Sequence, residues 1–79
     1  MSTEAKAIFL VNTESGARRQ VKDSLNKVIG LSANAISGPH DIIVAVSEEY
    51  DGETEFAAYY RIKHEPGVTQ ISMSVPINY

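Results

Sequence analysis

Two stretches of the chain are apolar at every position: Ala7-Ile8-Phe9-Leu10-Val11 and Ile42-Ile43-Val44-Ala45-Val46. Side chains alternate between the two faces of a strand, so each run presents apolar groups on both. Two further stretches alternate. Thr69, Ile71, Met73 and Val75 share one side, with Gln70, Ser72 and Ser74 on the other. Leu31, Ala33 and Ala35 likewise oppose Ser32, Asn34 and Ile36. The continuous runs predict central strands and the alternating ones predict edges; Pro76 suits the end of an edge. Between the strands, Val21, Leu25 and Val28 stand at i, i+4, i+7. That spacing predicts a helix over 16–28, with Thr13 or Ser15 as its N-cap. A second helix is predicted over 52–64, carrying Phe56, Ala58, Tyr59 and Ile62. It opens on the acidic stretch "EEYDGETE", which suits the positive end of a helix dipole and reads as a solvated start, not a cation site.

The chain also repeats itself. "VIGLSANAIS" (28–37) and "EPGVTQISMS" (65–74) each place a glycine between a helical stretch and an alternating strand. Gly30 and Gly67 are expected as left-handed helix ends. Each half reads strand, helix, glycine, strand. The order βαββαβ predicts an α+β ferredoxin-like sandwich: an antiparallel four-stranded sheet, strand order 4-1-3-2, with both helices on one face. One apolar sheet face then has no cover within the chain, and such a face is not stable in water. A second copy, sheet against sheet in the manner of a dimeric α+β barrel, is the simplest cover. The partner-facing set is either Ile8, Leu10, Ile43 and Ala45 or Phe9, Val11, Ile42 and Val44. The pattern alone does not choose.

A chain of 79 residues reads as one domain, 1–79. Chains of this size bury only roughly 60–65% of their unfolded surface and gain from assembly. Cysteine is absent, so neither a disulfide nor a thiolate metal site is available. The net charge of −3, with seven basic residues spread along the chain, opposes direct nucleic-acid binding. "MSTEAK" lacks a signal-peptide pattern and the apolar runs are far short of a membrane span, so a cytoplasmic location is expected.

Little in the chain looks catalytic. There is no P-loop, no G-x-G-x-x-G and no G-x-S-x-G, and no cofactor or metal is expected. His64 reads as a helix C-terminal residue. Tyr59 and Tyr60 cannot both face the sheet from one helix, so at least one lies at the surface or an interface. The stretch "SGPHD" (37–41) is the exception. Gly38-Pro39 makes a turn by itself, and Asp41 could simply accept hydrogen bonds within it. At the rim of two facing sheets, however, a carboxylate and backbone N–H groups could also hold a small zwitterion.

Three segments in order resemble the effector-binding RAM domain of the leucine-responsive regulatory protein/AsnC family. They are "FLVNTESGARRQVKDSLNKVIGL", "SGPHDIIVAV" and "RIKHEPGVTQISMSV". The first carries Gly16, Val21 and Leu25 at the family's spacing. The second is similar to its G-x-aromatic-D loop, the third to its I-x-x-x-P-G-V helix end. The resemblance implies an amino-acid-binding regulatory domain, here without the helix-turn-helix of full-length members. It implies sheet-paired homodimers that associate into rings such as octamers, and modulation of a partner such as a DNA-binding relative. Gly38, His40 and Asp41 are the implied ligand contacts. The chain departs from the family at His40, usually aromatic, and at Ile71 and Met73, where threonines are frequent. It departs again at Glu65, where an apolar residue is common before Pro-Gly. Two alternatives stand beside this reading: a monooxygenase-like α+β barrel enzyme, which would need polar groups in a roomy cavity, and a ligand-free assembly module.

Overall fold

The computed structural model describes residues 7–50 and 55–74. Its elements are β1 (Ala7–Thr13), α1 (Arg18–Leu25), β2 (Leu31–Ala35), β3 (Ile42–Val46), α2 (Glu55–Lys63) and β4 (Val68–Ser74). The strands form one sheet in the order β2-β3-β1-β4, every pair antiparallel. This is the ferredoxin-like arrangement, with the all-apolar strands central and the alternating strands at the edges.

The register decides the faces. Phe9 stands opposite Val44 on one side and Met73 on the other, while Leu10 stands opposite Ile43 and Ser72. Ala7, Phe9, Val11, Ile42, Val44 and Val46 are buried with Val21 and Leu25 of α1 and Ala58 and Ile62 of α2. Every buried side chain among the described residues is apolar. Fully burying a Val, Leu, Ile or Phe contributes about 1.5–3 kcal/mol, so this layer dominates the stability. Ile8, Leu10, Ile43 and Ala45 occupy the other face and are only partly buried. Of the two candidate sets for the open face, it is this one that the helices leave uncovered.

α1 is shorter than its spacing predicts. α1 ends at Leu25 because Lys27 and Val28 donate to Ser24 and Leu25 in tightened i+3 turns. Val28 still packs against the core from that turn. The chain then reverses at Gly30, whose φ of 92° is left-handed as expected, and Gly67 has a φ of 98°. A Cβ on Gly30 would run into the backbone of Tyr50, so the close approach also requires glycine. The expected N-cap is not formed. Thr13 belongs to β1, and the N-cap position is Ala17, which makes no side-chain cap. The turn at Gly16 places the cap position two residues beyond Ser15, and Ala17 N–H donates to Glu14 O at 3.0 Å.

α2 is described from Glu55, so the middle of the acidic stretch expected at its start, 51–54, lies outside the described residues, as do Val75, Pro76 and Tyr79. Tyr59 packs on the core with its ring 6.2 Å from that of Phe9, whereas Tyr60 is 56% exposed. His64 follows the last turn and its Nδ1 is 2.8 Å from Tyr60 O, the helix-end role expected of it. Glu65 is no intruder before Pro66-Gly67: its carboxylate accepts from Arg61 Nη1 at 2.7 Å, one turn back.

Candidate functional site

The loop that carries Gly38, His40 and Asp41 is tied at both ends. Ile36 N–H donates to Asp41 O at 3.0 Å, closing the turn, and Asp41 N–H donates to Val11 O at 2.9 Å, fastening it to β1. Gly38 has a φ of 110°, and a Cβ there would meet nothing within 4 Å. Glycine is therefore required there by the left-handed turn and not by a close approach to the added Cβ.

Asp41 reaches across to β1 instead of into its own turn. One oxygen, Oδ2, accepts from Thr13 N–H at 2.9 Å and lies 3.4 Å from Thr13 Oγ1. This holds the end of β1, where the pairing with β4 shifts register between Asn12 and Thr13. The β1–β3 pairing ends at Val11 and Ile42, and the Thr13 N–H just beyond it is thereby satisfied by a carboxylate, a charge-assisted bond.

His40 points to different company. Asn12 Nδ2 donates to Pro39 O at 2.8 Å, and Asn12 Oδ1 lies 2.8 Å from His40 Nδ1. With the amide nitrogen committed as donor, Oδ1 accepts and the ring donates from Nδ1. Asn12 shares its face of β1 with Ile8 and Leu10, so His40 belongs to the margin of the open sheet face. The structure thus separates the expected trio: His40 borders the open face and Asp41 borders a cleft beside α1.

That cleft, about 420 Å³, runs between Asp41 and the β1–α1 turn, lined by Thr13, Glu14, Gly16, Arg18 and Arg19. The first turn of α1 has no acidic residue and no side-chain cap, so its first N–H groups face the cleft's end of the helix without a capping oxygen. Arg18 Nη1 lies 3.4 Å from Ile36 O, a long contact that links the helix to the same loop. Carboxylates and guanidinium groups therefore line one open space. The sequence reading missed Glu14, Arg18, Arg19 and Asn12. Arg18-Arg19, two residues after Gly16, is a visible signal for the first turn of a helix; the pairing of Asn12 with His40 spans 28 positions and has none.

Compared with protein-family models the chain matches none, and no curated protein matches it by sequence. Two of the solved structures similar to it are informative. One is a hypothetical protein, PHS023, from Pyrococcus horikoshii. It is 25% identical with a TM-score of 0.73, over 92% of this chain and 89% of that one. The other is the Escherichia coli Tat proofreading chaperone protein NapD. It is 22% identical with a TM-score of 0.72, over 100% of this chain and 84% of that one. The likeness to NapD extends to the fold. Neither neighbour is described as an amino-acid-responsive regulator.

Proposed function

We propose that this chain is an amino-acid-binding, self-associating regulatory module. The observation that carries the reading is the mixed-charge cleft: Asp41 on one wall, Arg18, Arg19 and the uncapped start of α1 on the other. A zwitterion fits such a pair of walls, its ammonium toward Asp41 and its carboxylate toward the guanidinium groups and helix N–H groups. The open apolar face of Ile8, Leu10, Ile43 and Ala45 supports sheet-to-sheet pairing into a homodimer, and a ring of such dimers is the larger assembly this reading expects. A DNA-binding relative is the expected regulated partner, since the chain's own charge of −3 disfavours DNA.

The monooxygenase-like alternative needs polar groups between sheet and helices, and the buried side chains of that layer are apolar. A second reading comes from the NapD likeness. The open face would then receive an apolar segment of a client protein in place of a second copy.

The test is a thermal-shift screen of the full chain against all proteinogenic amino acids, followed by calorimetry on the hit with the unmodified chain and Asp41→Ala. Ligand binding to the native state raises the melting temperature by mass action. Loss of a charge-assisted bond to the ammonium lowers affinity by about ten- to a hundredfold, corresponding to roughly 1.5–3 kcal/mol. No stabilising amino acid at millimolar concentration, or equal affinity in Asp41→Ala with only a lowered melting temperature, returns Asp41 to its structural bond with Thr13.

A further inference from the structure

The two edges of the sheet are treated differently. On β2, the side-chain amide of Asn26 makes both hydrogen bonds that a neighbouring strand would make. Asn26 Nδ2 donates to Ala33 O at 2.9 Å, and Ala33 N–H donates to Asn26 Oδ1 at 2.7 Å. The outer edge of β2 is thereby stopped at its middle residue by a side chain from just beyond α1.

The same two bonds fix the direction of backbone groups across the sheet. Ala33 points its N–H and C=O outward, so its opposite residue Val44 turns its own toward β1. Phe9, opposite Val44, pairs back toward β3, and Met73, opposite Phe9, must turn its N–H and C=O out of the sheet. By the two-residue alternation Ile71 does the same. Among the described residues nothing pairs with this outer edge of β4.

Apart from the register shift near its start, β4 lacks the usual guards of an edge. Val68–Ser74, "VTQISMS", contains no charged residue and no proline. Beside it lies a groove of about 260 Å³ between α2 and the strand, lined by Tyr59, Lys63, Val68, Thr69, Gln70 and Ile71. Lys63, the charge among those residues, is folded over the Tyr59 ring at 5.6 Å from its centre. Met73 is itself 40% exposed.

We propose that the outer edge of β4 is a second self-association surface, on which two copies pair β4 against β4 antiparallel about a two-fold axis at Ile71. Ile71 is the central residue of Val68–Ser74, so this axis overlaps the whole strand. Ile71 meets its own counterpart and Met73 meets Thr69, the residue that the register shift leaves without a partner on β1, while Gln70 meets Ser72 on the open face. Two copies of an acidic chain approach here without like-charge repulsion, because β4 itself is uncharged. The pairing joins two sheets edge to edge and is geometrically independent of the face-to-face contact proposed above. Together the two would build assemblies larger than a dimer.

Sedimentation of the full chain, Met73→Pro, Thr69→Lys and Leu10→Asp tests this, with amide exchange read at Ile71 and Met73. Proline at 73 removes an outward N–H without breaking the β1–β4 ladder. Symmetric pairing then loses two hydrogen bonds, and the dissociation constant of the edge contact rises about tenfold or more. Thr69→Lys sets an ammonium against the neighbouring copy and weakens the same contact if the proline variant folds poorly. Leu10→Asp leaves a β4-paired species intact, which separates this contact from the face-to-face one. The Ile71 and Met73 amides of the unmodified chain become more protected as its concentration rises. Unchanged mass in both Met73→Pro and Thr69→Lys overturns the proposal. So does exchange at Ile71 and Met73 that is independent of concentration, as cover from within the chain or capture only by an added foreign peptide would produce.

Discussion

The two faces of the central strands carry nearly the same chemistry and meet different fates. Phe9, Val11, Ile42 and Val44 are fully buried under the helices; Ile8, Leu10, Ile43 and Ala45, their immediate neighbours in the chain, are only partly covered. The edges extend the contrast. On the helix-covered face Ile71 and Met73 continue the apolar surface onto β4, whereas on the open face Gln70, Ser72, Ser32 and Asn34 frame it with polar groups. The open face is thus an apolar stripe with polar margins, and the proposed pairing of copies would use it. A strand residue's hydrophobicity does not state whether it is core or interface; the layer packed against it does.

Paired substitutions turn this comparison into numbers. Phe9→Ala empties a fully buried site beside Tyr59 and should cost about 3–5 kcal/mol, a large part of the roughly 5–15 kcal/mol of a small domain. Leu10→Ala, one residue on, should cost about 1 kcal/mol or less in dilute chemical denaturation, as a partly exposed site does. Its main effect should fall on self-association, read by sedimentation. Equal costs at the two positions would erase the distinction between the faces.

The helix-covered layer also depends on its glycine turn. Gly30→Ala meets both a left-handed φ and the backbone of Tyr50, and should lower stability by about 2 kcal/mol or more, from the strain of that conformation plus displacement of Tyr50. A melting curve within error of the unmodified chain would mean that the 30–31 turn relaxes freely.

A smaller effect than at Phe9 or Gly30 belongs to the β2 edge. Asn26→Ala removes two hydrogen bonds from Ala33 and should cost about 1–2 kcal/mol. It also exposes the β2 edge, so concentration-dependent association or turbidity should rise relative to the unmodified chain. An unchanged melting temperature together with unchanged association would show that the Asn26 clamp does neither.

The element order and sheet order were legible because they rest on short-range periodicity. The five-residue apolar runs could only be central strands, and the alternating ones were read correctly as edges. Gly30 and Gly67 announced their left-handed turns. The helix ends were less legible, since α1 stops where i+3 turns and the commitment of Asn26 to Ala33 divert the chain; no local signal marks that. At the candidate site the sequence pointed to Asp41 and His40, and the structure gives both defined hydrogen-bond partners. It could not show that their side chains serve different surfaces. That follows from Asn12 and Thr13, adjacent on β1, facing opposite sides of the sheet.

What the sequence by itself determined is the set of elements, their order, and the existence of one apolar sheet face too many for two helices. Those follow from period and composition, which act over a few residues. Which face the helices take, which edge is stopped, and which charges share a cleft were decided only by the tertiary structure. A one-residue change of register exchanges the faces of a strand without changing its composition. The contacts that fix these choices, Asn26 with Ala33 and Asp41 with Thr13, join side chains to backbone groups that only the assembled sheet leaves unpaired.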